Sequence, residues 1–163
     1  MRHCLIPFWS ETLRPGKRLG MNDSVILNGK VSRWTLPVLE PASAGSESIL
    51  KRIILPQGEL AQFHDSPEGV RYIASIELKA GTVRGNHYHE KKREYVYIIS
   101  GEILLALEDL ENGATARLDL KGGDLILIQP RVVHALQVKH DGLAVEFSVD
   151  RFDSKDTYRR NCL

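Results

Sequence analysis

The chain is poor in cysteine: Cys4 and Cys162 are the only two in 163 residues, and they stand near opposite ends. Two such thiols make neither a disulfide framework nor a thiolate metal cluster, so a cytoplasmic location is the simpler expectation. A bridge joining the termini stays open. No apolar run approaches the roughly 20 residues that span a bilayer. Cys4-Leu5-Ile6-Pro7-Phe8-Trp9 is too short for a signal-peptide core and is broken by Pro7, so no membrane partner is expected. Charge of one sign is missing too. With 22 basic and 21 acidic residues the formal net charge is +1, which provides no electrostatic footprint for nucleic acid. From Ile49 onward no 11-residue window has a clear helical period. A regulator would normally need a DNA-binding domain, and no helix-turn-helix pattern is present.

What is present reads as strands. Hydrophobic residues make up 42% of the chain and charged ones 26%, ordinary for one globular domain with a core. Segments 49–55, 70–79, 85–89, 93–99, 102–108, 114–120, 124–129, 133–139 and 143–149 are short and rich in Val, Ile, Leu and Tyr. Such regular spacing predicts an all-β sandwich or barrel. Asn112-Gly113 and Asp141-Gly142 suit tight hairpin turns, since these residues tolerate positive φ. Runs such as Ile103-Leu104-Leu105-Ala106-Leu107 lack the alternation of a sheet with one wet face. Both faces should be covered, by a second sheet or by another subunit, and a homodimer is expected. Residues 1–48 read as an N-terminal extension and linker, with 41–48 flexible by composition. Met21 offers a second start, so residues 1–20 read as an upstream start or an added segment without function. Residues 49–150 form the strand-rich body, and 151–163 a surface tail that could cross a neighbouring subunit.

The most informative stretch is Gly81-Thr82-Val83-Arg84-Gly85-Asn86-His87-Tyr88-His89-Glu90-Lys91-Lys92-Arg93-Glu94. On a strand, residues i and i+2 point to one face, roughly 7 Å apart at Cα. His87 and His89 can therefore converge on one ion while Tyr88 points away; a helix would separate them. Glu94 shares a face with Val96 and Ile98, and an inward carboxylate beside aliphatic residues is costly unless paired or bound to a metal. His134 forms a comparable inward set with Leu136 and Val138. A lone histidine is usually structural and a lone glutamate usually solvated, but three imidazoles and a carboxylate aimed into one apolar interior want a cation. Three nitrogens and one oxygen leave two positions open in an octahedral site, which suits Mn, Fe, Ni or Co. Zinc is possible, although structural zinc prefers closed sites.

Gly81-(five)-His87-x-His89-(four)-Glu94-(six)-Gly101 resembles the first cupin motif at every position. Gly123-Asp124-(four)-Gln129-Pro130-Arg131-Val132-Val133-His134 resembles the second in degenerate form. It departs at Gln129, Arg131 and Val138, where that pattern usually has proline, glycine and asparagine. The resemblance covers residues 50 to 150. It implies a double-stranded β-helix, or jelly-roll, barrel of the cupin type, with one divalent transition metal in its mouth. Gly85-Asn86-His87-Tyr88-His89 and Phe152-Asp153…Asp156-Thr157-Tyr158 also resemble segments of nucleotide-sugar-processing cupins.

Three functions follow as expectations. The first is a metal-dependent isomerase, epimerase or lyase acting on a sugar or sugar-derived acid. The second is an Fe- or Mn-dependent dioxygenase or oxidase; the third is a non-catalytic metal or small-ligand binding module. Candidate proton shuttles are Tyr72, which shares parity with Ala74, Ile76 and Leu78, Glu146 on the last strand, and His64 in a polar loop. Arg84 and Arg131 are candidate contacts for an anionic small-molecule ligand, through a guanidinium facing a carboxylate or phosphate. Lys91-Lys92-Arg93 reads as a solvated loop, and Tyr95 with Tyr97 as outer-face packing or a dimer feature.

Overall fold

The computed structural model describes residues 22–40 and 50–163. Among the described residues there are twelve strands and no helix, so no helix there is long and apolar enough to cross a membrane. The architecture is an all-β jelly-roll built on two long strands, β8 (Glu94–Asp109) and β11 (Val132–Ser148), which pair antiparallel along most of their length. Each bends midway and so serves two sheets. The first half of β8 and the second half of β11 lie between β10 (Asp124–Ile128) and β6 (Tyr72–Leu78). That sheet continues through β2 (Val31–Thr35) to β1 (Asn22–Ile26). The other halves lie between β9 (Thr115–Lys121) and β7 (Val83–Tyr88), and β12 (Tyr158–Arg159) adds to the β7 edge.

The bend explains why four expected strands are two. Segments 93–99 and 102–108 merge into β8, and 133–139 and 143–149 into β11. The β8–β11 register shifts between Val138 and Ala144. Gly101, at φ +95°, faces this irregularity, and a Cβ there would stand 2.9 Å from the His140 carbonyl oxygen. Asp141-Gly142 is thus a bulge inside a strand and not a hairpin turn, because the partner strand continues past it. Asn112-Gly113 does close a turn: Gly113 donates its N–H to the Asp109 carbonyl at 2.8 Å.

Val96, Ile98, Ile103, Leu105, Leu107, Ile126, Leu136 and Val138 fill the space between the sheets. The opposite face of the β8–β10–β11 sheet carries a second cluster of Leu36, Leu50, Tyr97, Leu125 and Phe147. Phe63 stacks on Tyr97 there with ring centroids 4.3 Å apart. Phe63 follows a small sheet of β3 (Val38–Leu39), β4 (Lys51–Leu55) and β5 (Gly58–Gln62). The outer face of this half of β8 is therefore covered from within the chain, whereas the run Ile103-Leu104-Leu105-Ala106-Leu107 lies in the other half, paired with β9.

Of the residues expected as an extension, Val38–Leu39 joins the small sheet and 22–35 supply β1 and β2 of the barrel sheet. Their anchor is Asp124, a buried carboxylate that accepts hydrogen bonds from Arg33 Nη2 at 2.9 Å, Thr35 Oγ1 at 2.7 Å and the Lys121 N–H at 2.8 Å. Gln129 donates its N–H to the Lys30 carbonyl at 2.9 Å. A proline in that place has no N–H to give. The expectations for residues 1–20, the 41–48 loop and a Cys4–Cys162 bridge fall outside the described residues.

Candidate metal centre

His87 on β7 lies directly opposite His134 on β11. The two strands approach closely because of Gly85, at φ +86°, where a Cβ would lie 2.7 Å from the His134 carbonyl oxygen. Gly85 and the following Asn86, at φ 52°, shift the register and turn His87 inward beside His134. His89 follows two residues later, and Glu94 begins β8. His87, His89, Glu94 and His134 each offer one donor atom within 4.8 Å of all the others. This is the set expected from parity and spacing.

The rings are held from behind. His134 Nδ1 lies 3.1 Å from the Val132 carbonyl oxygen, and His89 Nδ1 is bonded to the Asp156 carbonyl oxygen. Each ring therefore uses its Nδ1–H as a donor and turns Nε2 inward, the usual arrangement behind a ligating imidazole. His134 Nε2 stands 3.1 Å from His87 Nε2 and 3.3 Å from Glu94 Oε1, and His89 Nε2 stands 3.2 Å from Glu94 Oε2. Two facing imidazole lone pairs repel unless a proton or a cation lies between them. A proton is favoured on His134 over His87. Burial opposes charge on His134, but the Glu94 carboxylate outweighs it and raises His134 above its ordinary 6.5. Burial likewise pushes Glu94 upward, yet His134, His89 and Lys92 hold it well below the usual carboxylate range. Burial, then the charge of His134, lowers His87 to about 4. Three imidazoles oriented by backbone carbonyls, one carboxylate and no thiolate could hold a divalent transition-metal ion, with a proton leaving His134 as the ion enters.

Two of the three candidate shuttles reach this site. Tyr72 opposes Ser148 and Ala74 opposes Glu146, so the face that carries Glu94 also carries Tyr72 and Glu146. Burial, then the Glu94 charge, raises Glu146. Burial, then the Glu146 charge, raises Tyr72. His64 is not brought there. Its ring packs 4.9 Å from Phe147 and 5.9 Å from Tyr95, on the outer face, because the segment after β5 folds over the second apolar cluster. Tyr95 and Tyr97 point to that same face and pack within the chain, with Tyr95 stacked 4.8 Å from Phe147.

The arginines divide as well. Arg131 stands in the left-handed region at φ 64°, which accounts for the glycine usual at that position. Its guanidinium is engaged by Glu90 at 2.9 Å and Glu111 at 3.9 Å, so it does not face the donor set. Arg84 is exposed, opposite Leu136, with no ion pair among the described residues.

Two contributors escaped sequence reasoning. Lys92, expected on a solvated loop, is buried, with Nζ 3.0 Å from Glu94 Oε2 and also bonded to Glu146 Oε1. Asp156, expected on a surface tail, is buried as well. Its carboxylate accepts the N–H groups of Glu90 at 2.9 Å, Lys91 at 3.2 Å and Lys92 at 3.0 Å. The tail thus folds back and clamps the turn between His89 and Glu94. The only signal in the sequence was the short Asp153…Asp156 likeness, which named no role. Two surface clefts, of about 430 and 480 Å³, include none of the four donors in their linings.

A family model for the cupin domain matches residues 74–150. Those residues form a cupin domain. A search of curated proteins finds no match to the chain. Among solved structures the chain is similar to a dTDP-4-dehydrorhamnose 3,5-epimerase from Sulfolobus tokodaii, with a TM-score of 0.65 and 15% identity over 83% of this chain and 78% of that one. It is also similar to a 3,4-ketoisomerase from Helicobacter canadensis, with a TM-score of 0.59 and 15% identity over 68% of this chain and 86% of that one. A third is the capsular polysaccharide assembling protein CapF from Staphylococcus aureus, with a TM-score of 0.52 and 20% identity over 74% of this chain and 35% of that one. At these identities the likeness is one of fold.

Proposed function

We propose that this cupin is a metal-dependent isomerase or epimerase acting on a keto sugar or a sugar-derived acid. The observation that carries the reading is the convergence of His87, His89, Glu94 and His134 beside a second set of titratable groups, Tyr72, Glu146 and Lys92, on one interior face. When bound, a divalent ion supplies Lewis acidity to a substrate carbonyl, which acidifies the neighbouring C–H. The chain supplies the proton transfers. Glu146 has one oxygen tied to Lys92 and its affinity for a proton raised by burial, which suits a base that takes that proton and returns it. Tyr72 stays protonated at neutral pH and serves as the acid toward the carbonyl oxygen. Arg84 is the remaining candidate for an anionic substituent of the substrate, since Arg131 is occupied. The activities of the similar structures, a 3,5-epimerase and a 3,4-ketoisomerase of the same fold, support the choice of substrate class.

The test is proton exchange. Apo protein reloaded with Mn, Fe, Ni, Co or Zn is incubated in D2O with dTDP-4-keto-6-deoxy sugars and free keto sugars, and deuterium is read by NMR. Metal-dependent incorporation at carbon beside the keto group, lost in Glu146→Gln, is the expected result. Oxygen uptake without exchange would replace this reading with a dioxygenase. Tight metal retention with neither would leave a binding module.

A further inference from the structure

The Lys91-Lys92-Arg93 run has three different fates. Lys91 is exposed, Arg93 reaches Glu68 at 3.2 Å and Asp150 at 3.6 Å, and Lys92 turns inward. The inward turn has a visible cause: the Asp156 carboxylate gathers three consecutive backbone N–H groups, those of residues 90, 91 and 92, and tightens the loop. Lys92 Nζ then sits 3.0 Å from Glu94 Oε2, against Glu146 Oε1, and 4.8 Å from the centre of the Tyr72 ring. Its side chain is only 7% exposed. A buried ammonium between two carboxylates is satisfied by them, but it is placed beside the one anionic donor a metal ion would use.

We propose that Lys92 is a positioning residue that restricts Glu94 to single-oxygen ligation and lowers the site's affinity for its divalent ion. The proposal rests on the metal-centre reading above. Glu94 Oε1, 3.3 Å from His134 Nε2, stays available to an ion, while Oε2 is held by Lys92. The charge balance follows. Two carboxylates and one ammonium sum to −1 with neutral imidazoles, so a loaded site carries +1 and suits a monoanionic ligand or a developing enolate. Without Lys92 the loaded site would be neutral, and the ion would be bound more tightly but be a poorer electrophile. A unit charge about 5 Å from a divalent ion, at an effective dielectric near 20, shifts affinity by several powers of ten before relaxation. After proton uptake and water entry we expect at least a roughly tenfold effect.

The experiment measures Mn and Zn dissociation constants at pH 8 by competition with a chromophoric chelator. It uses the full chain, chelator-stripped, with near-ultraviolet circular dichroism as the check on folding. Lys92→Met should bind at least about tenfold more tightly than wild type, Glu146→Gln more weakly, and Lys92→Met/Glu146→Gln close to wild type. That order follows from charge, and a merely structural role would give the opposite sign for Lys92→Met. If Lys92→Met binds equally or more weakly while wild type binds, the Lys92 inference fails and the metal reading stands. If wild type binds neither ion, both fail. Should Lys92→Met not fold, Glu146→Gln decides, and equal or tighter binding by that variant overturns the proposal.

Discussion

Glu94 and Tyr95 are neighbours in β8, and Glu146 and Phe147 are neighbours in β11, yet each pair divides between two unlike surfaces. The outer members stack: Tyr95 on Phe147, and Phe63 on Tyr97. The inner members bury carboxylates against histidines and a lysine. Burying Phe147 stabilises the fold through apolar area and ring packing. Burying Glu94 and Lys92 does not, because desolvation of buried ions commonly matches or exceeds their attraction. The outer face of these strands is thus apolar packing, whereas the inner face joins the barrel core of Val96, Ile98 and Ala144 to a polar site. Alternation at a period of two keeps the faces apart although they share a backbone.

The sharpest break in this contrast is Phe147→Ala. It should cost about 3–5 kcal/mol of unfolding free energy by chemical denaturation, by emptying the outer cluster. A loss under 1 kcal/mol would show that the outer face is not a core. The inner face should respond in the other currency. Asp156→Ala removes the acceptor that gathers the 90–92 turn, and metal affinity should fall roughly 10- to 100-fold, as for other groups that orient ligands. Calorimetric titration checks it; an unchanged affinity would mean that the His89–Glu94 turn holds its shape alone. A third expectation concerns pH. His134 is raised above 6.5 and must lose its proton to bind an ion, while His87, at about 4, is already neutral. Affinity should therefore weaken by up to about tenfold per unit as pH falls below the raised His134 value, and level off above it. Binding that is flat across that range would show that His134 carries no proton in the metal-free site. The smallest effect is expected for Arg131→Ala. Its exposed pairs with Glu90 and Glu111 are screened by solvent, and metal affinity should be unaltered within error. A change above tenfold would place Arg131 in the site after all.

Much of the site is legible in the sequence. His87, His89, Glu94 and His134 were readable because strand parity is a local rule, and the same rule set Tyr95 and Tyr97 on the outside. Parity also set Tyr72 with Ala74, Ile76 and Leu78 in a regular stretch of β6, whereas Glu146 was read only as lying on the last strand, which is part of β11. It had nothing to say about His64 or Lys92, which lie between strands where no period operates. Their directions depend on what folds over them: Phe63 on Tyr97 carries His64 outward, and Asp156 draws Lys92 inward. Arg131 was misjudged for a related reason. Its left-handed backbone and its partner Glu90, 41 residues away in sequence, are tertiary facts. The strand count failed at Gly101 and Gly142, because a glycine between apolar runs marks a turn or a bulge equally well.

By itself, then, the sequence determined an all-β chain with an inward-facing His-x-His, a glutamate and a distant histidine, because side-chain alternation along a strand needs no knowledge of neighbours. Only the tertiary structure decided that β8 and β11 each serve two sheets, that the outer face is covered from within the chain, and that Lys92 shares Glu94 with the donor set. Those outcomes depend on contacts between segments far apart in the chain. Asp156 meets the turn before β8 from more than 60 residues away, with separations of 64 to 66, and no local pattern encodes that meeting.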